Sequence, residues 1–245
     1  AAGCGSDAKK DAAPAKADTK KVLTVGTNPS FAPFEFTDKQ DGKMMGFDID
    51  LMNALAKKAG YEKVEFKSIP FDGLIPSLEG GNIDAIITGM SITDARKQKV
   101  NFTEPYYESG LMAIVGKNND SIKGLEDLKG KTIAVQIGTI GADEAHKIEG
   151  ATVKTFDSSD LACLELKNGG ADAVISDLPV LQYFLKQGGS EYAKSVGTPK
   201  KGDFYGIAVG KKDTATLDKL NKALAEMKKD GEYQKIYDKW FTVAK

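Results

Sequence analysis

Two nine-residue stretches of this chain echo one another: Gly81-Asn-Ile-Asp-Ala-Ile-Ile-Thr-Gly89 and Gly169-Gly-Ala-Asp-Ala-Val-Ile-Ser-Asp177. In each, glycine closes a helical pattern, an aspartate follows, and a short run of branched aliphatic residues suits a buried strand. A unit that recurs at the end of two separate strand–helix series constrains the chain to two similar α/β lobes rather than one continuous sheet.

The series itself can be traced. In the first half, 22–27 reads as a strand. An amphipathic helix follows over 47–59, with Phe47, Leu51, Leu55 and Ala59 on one face and Gly60 as its stop. Then come a strand at 64–68, a short helix at 72–79 and a strand at 83–88. The second half repeats the order: strand 131–137, a weaker helix reaching 147, strand 152–156, helix 159–167 and strand 171–176. The extended stretch 108–115 leaves the first lobe and 204–209 returns to it, followed by helices at 216–229 and 232–240. Two crossing strands would form a hinge. The expected division is a flexible tether over 1–20, lobe one over 21–110 with 206–245, and lobe two over 111–205.

Ligands of open α/β sheets lie beyond the carboxyl ends of the strands. Thr88-Gly89 ends the key strand of the first lobe and Ser176-Asp177 its counterpart. Just past the first end, Thr93 reads as a helix N-cap and puts Arg96 in the first turn. A cation there opposes the macrodipole at a cost of about 0.3–1 kcal/mol. An anion docked on the helix start would offset it, shared between the backbone amide of Ser91 and the guanidinium fork. The alternative is a surface arginine paired with Asp94. Across the crevice, Asp177 would suit an ammonium group, so that Arg96 and Asp177 together fit a zwitterion. The alternative for Asp177 is a plain N-cap before Leu178-Pro179.

Other classes are disfavoured. A formal net charge of -1 and the lack of a basic run with interleaved aromatics argue against nucleic acid. No apolar stretch approaches the ~20 residues of a bilayer span. The only histidine, His146, lies on a polar helix, and no metalloprotease, phosphate-loop or nucleophile-elbow motif occurs. Glu35, Asp48 and Asp50 form an acidic group among apolar positions and read as framework. The chain is therefore expected to be a monomeric binding protein with no cofactor, no metal and no catalytic residue. A dehydratase-type enzyme working through a cleft carboxylate, or the sensing domain of a receptor, are the alternatives.

Cys163, in Leu161-Ala-Cys-Leu-Glu-Leu166, is expected to pack as a small apolar side chain. Cys4 follows small residues and precedes a polar tail without large apolar side chains. That arrangement resembles the cleavage site of bacterial lipoprotein precursors, although Ala1 stands where those usually have Leu. The resemblance implies acylation of Cys4 and attachment to the membrane through a lipid, against the alternative of a chance cysteine in a tail.

Seven ordered motifs resemble the solute-binding proteins of bacterial ABC transporters for polar amino acids. They are Val25-Gly-Thr-Asn-Pro-Ser-Phe-Ala-Pro-Phe-Glu-Phe36, Gly46-Phe-Asp-Ile-Asp-Leu51, Phe71-Asp-Gly-Leu-Ile-Pro-Ser-Leu78 and Ile92-Thr-Asp-Ala-Arg-Lys97. The others are Phe102-Thr-Glu-Pro-Tyr-Tyr107, Gly169-Gly-Ala-Asp-Ala-Val174 and Ile236-Tyr-Asp-Lys-Trp-Phe241. The resemblance implies a type II periplasmic-binding-protein-like fold, an extracytoplasmic location and a membrane permease as partner. It implies that Arg96 grips the carboxylate of a free L-amino acid, helped by amides at Ser91, Thr139 and Ile140. Asp177 would take the ammonium with the Gly89 carbonyl and the Ser91 hydroxyl. Phe31 and Phe71 would sandwich the side chain, against the alternative of core packing. Phe31 escapes that best, in a turn-rich loop, whereas Phe34 and Phe36 are expected in the core. Thr88 and Met90 would complete the wall. Asn28 stands where relatives often have Asp, and Gln136 where some have Lys or an apolar residue. Two uncharged amides favour glutamine narrowly over arginine, with cysteine, histidine and lysine behind.

Overall fold

The computed structural model describes residues 21–241; Cys4 and the expected tether lie outside the described residues. Two five-stranded sheets carry the architecture. In the first, the order is Lys63–Ser68, Val22–Thr27, Ala85–Ile86, Ala208–Gly210, Val100–Phe102. In the second, it is Thr152–Phe156, Thr132–Gln136, Ala173–Asp177, Tyr107–Gly116, Ala193–Tyr205. Each begins with three parallel strands, and each takes its fourth antiparallel from a segment that has crossed over from the other lobe. The two lobes are thus topological copies.

The sequence echo has a structural reason. Asp84 Oδ2 accepts from the Thr24 amide and Asp172 Oδ2 from the Thr132 amide, both at 2.9 Å. The amides of the same aspartates donate to the Thr24 and Thr132 carbonyls, both at 2.8 Å. In each lobe, one aspartate therefore bolts the start of the third strand to the first. That fixes where the third strand ends, which is where the cleft begins.

The hinge is longer than 108–115 and 204–209 suggest. Tyr107–Gly116 and Ala193–Tyr205 pair antiparallel from Tyr107↔Tyr205 to Gly116↔Ala193, with irregularities between Val196 and Lys200 and between Lys201 and Asp203. The third strand of lobe one is shorter than 83–88, with ladder pairing at Ala85–Ile86 only. A small sheet was not anticipated: Ser30–Phe31, Glu35–Thr37 and Met44–Met45.

That small sheet overturns the reading of Phe31 as a loop residue. Phe31 is buried in the lobe-one core, where its ring lies 6.1 Å from that of Phe34. Phe34 is fully buried, as expected, with Phe47, Tyr107, Tyr205 and Phe241 all edge-on or tilted around it. Phe36 is not core: it is half-buried between Trp240 and Tyr183, the latter from the other lobe. Cys163 is buried and free, and burial pushes its thiol up to about 12. No helix among the described residues is long and apolar enough to cross a membrane. Because Phe34 ties the sheet, the hinge and the last helix together, Phe34→Ala should lower the unfolding free energy by about 3–5 kcal/mol. Urea denaturation reads this directly, and a loss below ~1 kcal/mol would show that the cluster is not the keystone of lobe one.

Candidate functional site

The turn after Ala85–Ile86 sets the first wall. Gly89 has φ +57, and a Cβ there would lie 2.8 Å from the Phe31 ring, so only glycine fits. Its amide donates to Asp48 Oδ2 at 2.8 Å, while the Thr88 hydroxyl accepts from the Asn28 amide at 2.9 Å and donates to Glu35 at 3.0 Å. Past the turn, Thr93 caps the short helix Asp94–Lys97 by accepting from the Arg96 amide at 3.1 Å, as the sequence suggests.

Arg96 is not a surface arginine spent on Asp94. Its guanidinium donates to the Ser91 carbonyl at 2.8 Å and, across the cleft, to the Gly138 carbonyl at 2.9 Å. It also lies 5.4 Å from the centre of the Phe71 ring, a cation–π distance. Burial lowers the guanidinium pKa, while Asp177, Asp203 and Asp143 hold it up. Gly138 leads into Thr139, whose hydroxyl caps the helix Ile140–His146. The amides of Thr139 and Ile140 therefore open that helix beside the carbonyl that Arg96 holds.

Asp177 occupies the N-cap position of Leu178–Lys186 yet makes no side-chain cap bond. Its Oδ2 instead accepts from the Tyr205 hydroxyl, whose oxygen in turn accepts from Ser109 Oγ at 3.0 Å. Burial, then the charge of Asp203, pushes Asp177 up to about 8, against the pull of Tyr205 and Arg96. Asp203 is raised as well by burial, and is lowered by the Ser91 hydroxyl and Arg96. Its Oδ2 is buried without a hydrogen-bond partner among the described residues. Asp203 and Tyr205 were not anticipated as site residues. They lie two apart on a strand and so share a face, which alternation alone would have shown.

Two expected wall residues, Met90 and Gln136, are placed otherwise. Met90 is buried in the lobe-one core among Leu74, Ile86 and Val100. Gln136 is buried with its amide bound inside lobe two: Nε2 donates to the Asp157 carbonyl at 3.2 Å and Oε1 accepts from Ser159 at 3.2 Å. The Asn28 side chain accepts from Ser30 Oγ at 2.6 Å. The Gln136 amide, bonded at both ends, has less to offer a neutral amide ligand. His146 is exposed, as expected.

Two α/β lobes, a two-strand hinge and a cation facing carboxylates across the crevice define a cleft-type binding protein of the type II periplasmic class. The model of the bacterial extracellular solute-binding proteins, family 3, matches residues 23–243, and the chain belongs to that family. A probable histidine-binding protein of Neisseria gonorrhoeae is 41% identical over 243 residues, covering 97% of this chain and 89% of the relative. A solved ancestral arginine-binding protein bound to arginine is 50% identical with a TM-score of 0.88, covering 91% of this chain and 99% of its own. An ancestral arginine-binding protein bound to glutamine is 49% identical with a TM-score of 0.85, at the same coverages.

The raised pKa of Asp177 has a definite sign. The ligand-free folded protein keeps a proton that the unfolded chain, with an ordinary value of 3.8, gives up, so this site's contribution to stability falls as pH rises toward about 8. Thermal melts of Asp177→Asn against the parent between pH 5 and 8 (roughly the window between the two values) should show a shallower decline for the variant. Parallel curves would mean that Asp177 is ionised throughout.

Proposed function

We propose that the chain captures a cationic L-amino acid, arginine before histidine, and closes around it for delivery to the permease of an ABC importer. The carrying observation is charge: the buried site sets one guanidinium, Arg96, against two carboxylates, Asp177 and Asp203. A zwitterion brings no net charge to that imbalance, whereas a basic amino acid brings one positive charge. Arg96, with amides at Ser91, Thr139 and Ile140, takes the α-carboxylate. Asp177, the Gly89 carbonyl and the Ser91 hydroxyl take the α-ammonium, with Asp203 behind them. The side chain lies along Phe31 and Phe71, beside Thr88 and Asn28. Relatives that bind arginine or histidine support the basic ligand, and the glutamine preference suggested by the two amides has no such support over these.

The lobes divide at 110/111, inside the strand Tyr107–Gly116, and at 205/206, where Ala193–Tyr205 ends. The protein works as a monomer outside the cytoplasm, held to the membrane through acylated Cys4, and performs no catalysis. The test is calorimetry with arginine, histidine, lysine and glutamine on protein refolded to remove carried-over ligand. Arginine or histidine should bind tightest. Pairing Asp177 with an ammonium expels its proton, so affinity should rise between pH 6 and 8, by at most about tenfold per unit. The binding enthalpy should also vary with the ionisation enthalpy of the buffer. Glutamine binding tightest would overturn the ligand, and no binding by any amino acid would overturn the function.

A further inference from the structure

Beneath the Thr88–Gly89 turn lies a buried polar network with one bond missing. The Asn28 amide donates to Thr88 Oγ1, and the Thr88 hydroxyl donates to Glu35 Oε1. At the other end, Asp48 Oδ2 accepts from the Gly89 amide and, at 3.1 Å, from the Tyr106 hydroxyl. Every donor is matched. Two oxygens remain, Glu35 Oε2 and Asp48 Oδ1, both buried and without a hydrogen-bond partner among the described residues. Both residues are fully buried, their carboxyls hold the adjacent residues Thr88 and Gly89, and each acts electrostatically on the other. Two acceptors cannot bond without a proton between them, and two adjacent buried carboxylates cannot both ionise.

We propose that Glu35 and Asp48 share one proton at neutral pH, with Glu35 as donor, and that this acid pair positions the Thr88–Gly89 turn for the amino acid. Glu35 then accepts from Thr88 through Oε1 and donates to Asp48 through Oε2, and every oxygen in the network is satisfied. Asp48, the ionised partner, accepts three bonds. The groups that face the pair agree with this. Thr88 and the Tyr106 phenol bond the pair, Tyr233 feels the charge of Asp48, and among the described residues no Lys, Arg or His is seen to act on either carboxyl. Burial first, then the neighbouring Asp48, raises Glu35 well above its ordinary value, whereas Asp48 is raised only to about 6. Glu35 is a positioning residue: it touches the turn, not the ligand. The shared proton stands by itself, and the consequence for binding rests on the function proposed above.

Glu35→Gln is the informative substitution, because its amide accepts from Thr88 and donates to Asp48 without a titrating proton. Glu35→Met removes both bonds. Thermal melts in an Asp177→Asn background, free of that residue's own titration, read the proton. The folded Glu35 holds a proton that the unfolded chain releases, so stability should fall as pH rises above the ordinary carboxylate range, and adding Glu35→Gln should flatten that fall. Calorimetry in the otherwise native chain at pH 7.5 (about neutral) reads the positioning. Glu35→Gln should keep the affinity for the tightest-binding amino acid within about threefold, while Glu35→Met should weaken it about tenfold or more. Identical pH slopes with and without Glu35→Gln would overturn the shared proton. Equal loss of affinity in both variants would overturn the positioning role, and Glu35→Gln decides this even where Glu35→Met fails to fold. If no amino acid binds the parent chain, the functional reading and the positioning role fall together, while the melts still decide the proton.

Discussion

One guanidinium cannot neutralise two carboxylates held out of water at the same place, and the cleft imposes that mismatch. Arg96, Asp177 and Asp203 come from three separate segments, each fixed by backbone pairing rather than by attraction to the others. The imbalance is therefore built in, and it shows in the upward push on both aspartates. Isolated buried charges are costly, so such a site retains protons until something positive arrives. A ligand with two cationic groups and one carboxylate removes the mismatch, which makes charge the natural basis for selection in this cleft.

The same segments carry the hinge. The return strand Ala193–Tyr205 contributes Asp203 and Tyr205, and then passes to the Ser91 turn, where the Ile92 amide donates to the Phe204 carbonyl and the Gly206 amide to the Met90 carbonyl. Tyr205, at the end of that strand, bonds Asp177 of lobe two, and Arg96 of lobe one bonds Gly138 across the cleft. Ligand groups that touch Arg96 and Asp177 thus touch both lobes and both ends of the hinge contact. A ligand shifts the balance between open and closed forms only through such differential contacts.

Much of this was legible in the sequence where local chemistry dictates structure. The paired aspartates Asp84 and Asp172, the cap at Thr93, the helix from Phe47 and the core place of Phe34 each follow from a short-range rule. The opposition of Arg96 and Asp177 followed from strand ends. What escaped depends on partners distant in sequence. Strands as short as Ser30–Phe31 and Met44–Met45 have no period to read, so Phe31 looked like a loop residue although its ring fills the space that Gly89 leaves. The return strand hides behind Gly197, Pro199, Lys200, Lys201 and Gly202, which an edge strand tolerates because it pairs on one side only. Gln136 and Met90 were assigned to the wall from position alone, while tertiary packing turned both inward.

Selection in the cleft depends on which groups take the two charged ends of the ligand. The direct measurement is a cycle between ligand and protein: the tightest-binding amino acid and its decarboxylated amine, each titrated into the parent chain and into Arg96→Ala. The amino acid should lose about a hundredfold or more in affinity on Arg96→Ala, a charge-assisted bidentate contact being worth roughly 3 kcal/mol. The amine, which has no carboxylate to lose, should bind both proteins equally weakly. If Arg96→Ala weakens the amine as much as the amino acid, Arg96 shapes the closed cleft without gripping the carboxylate, and the charge account is wrong.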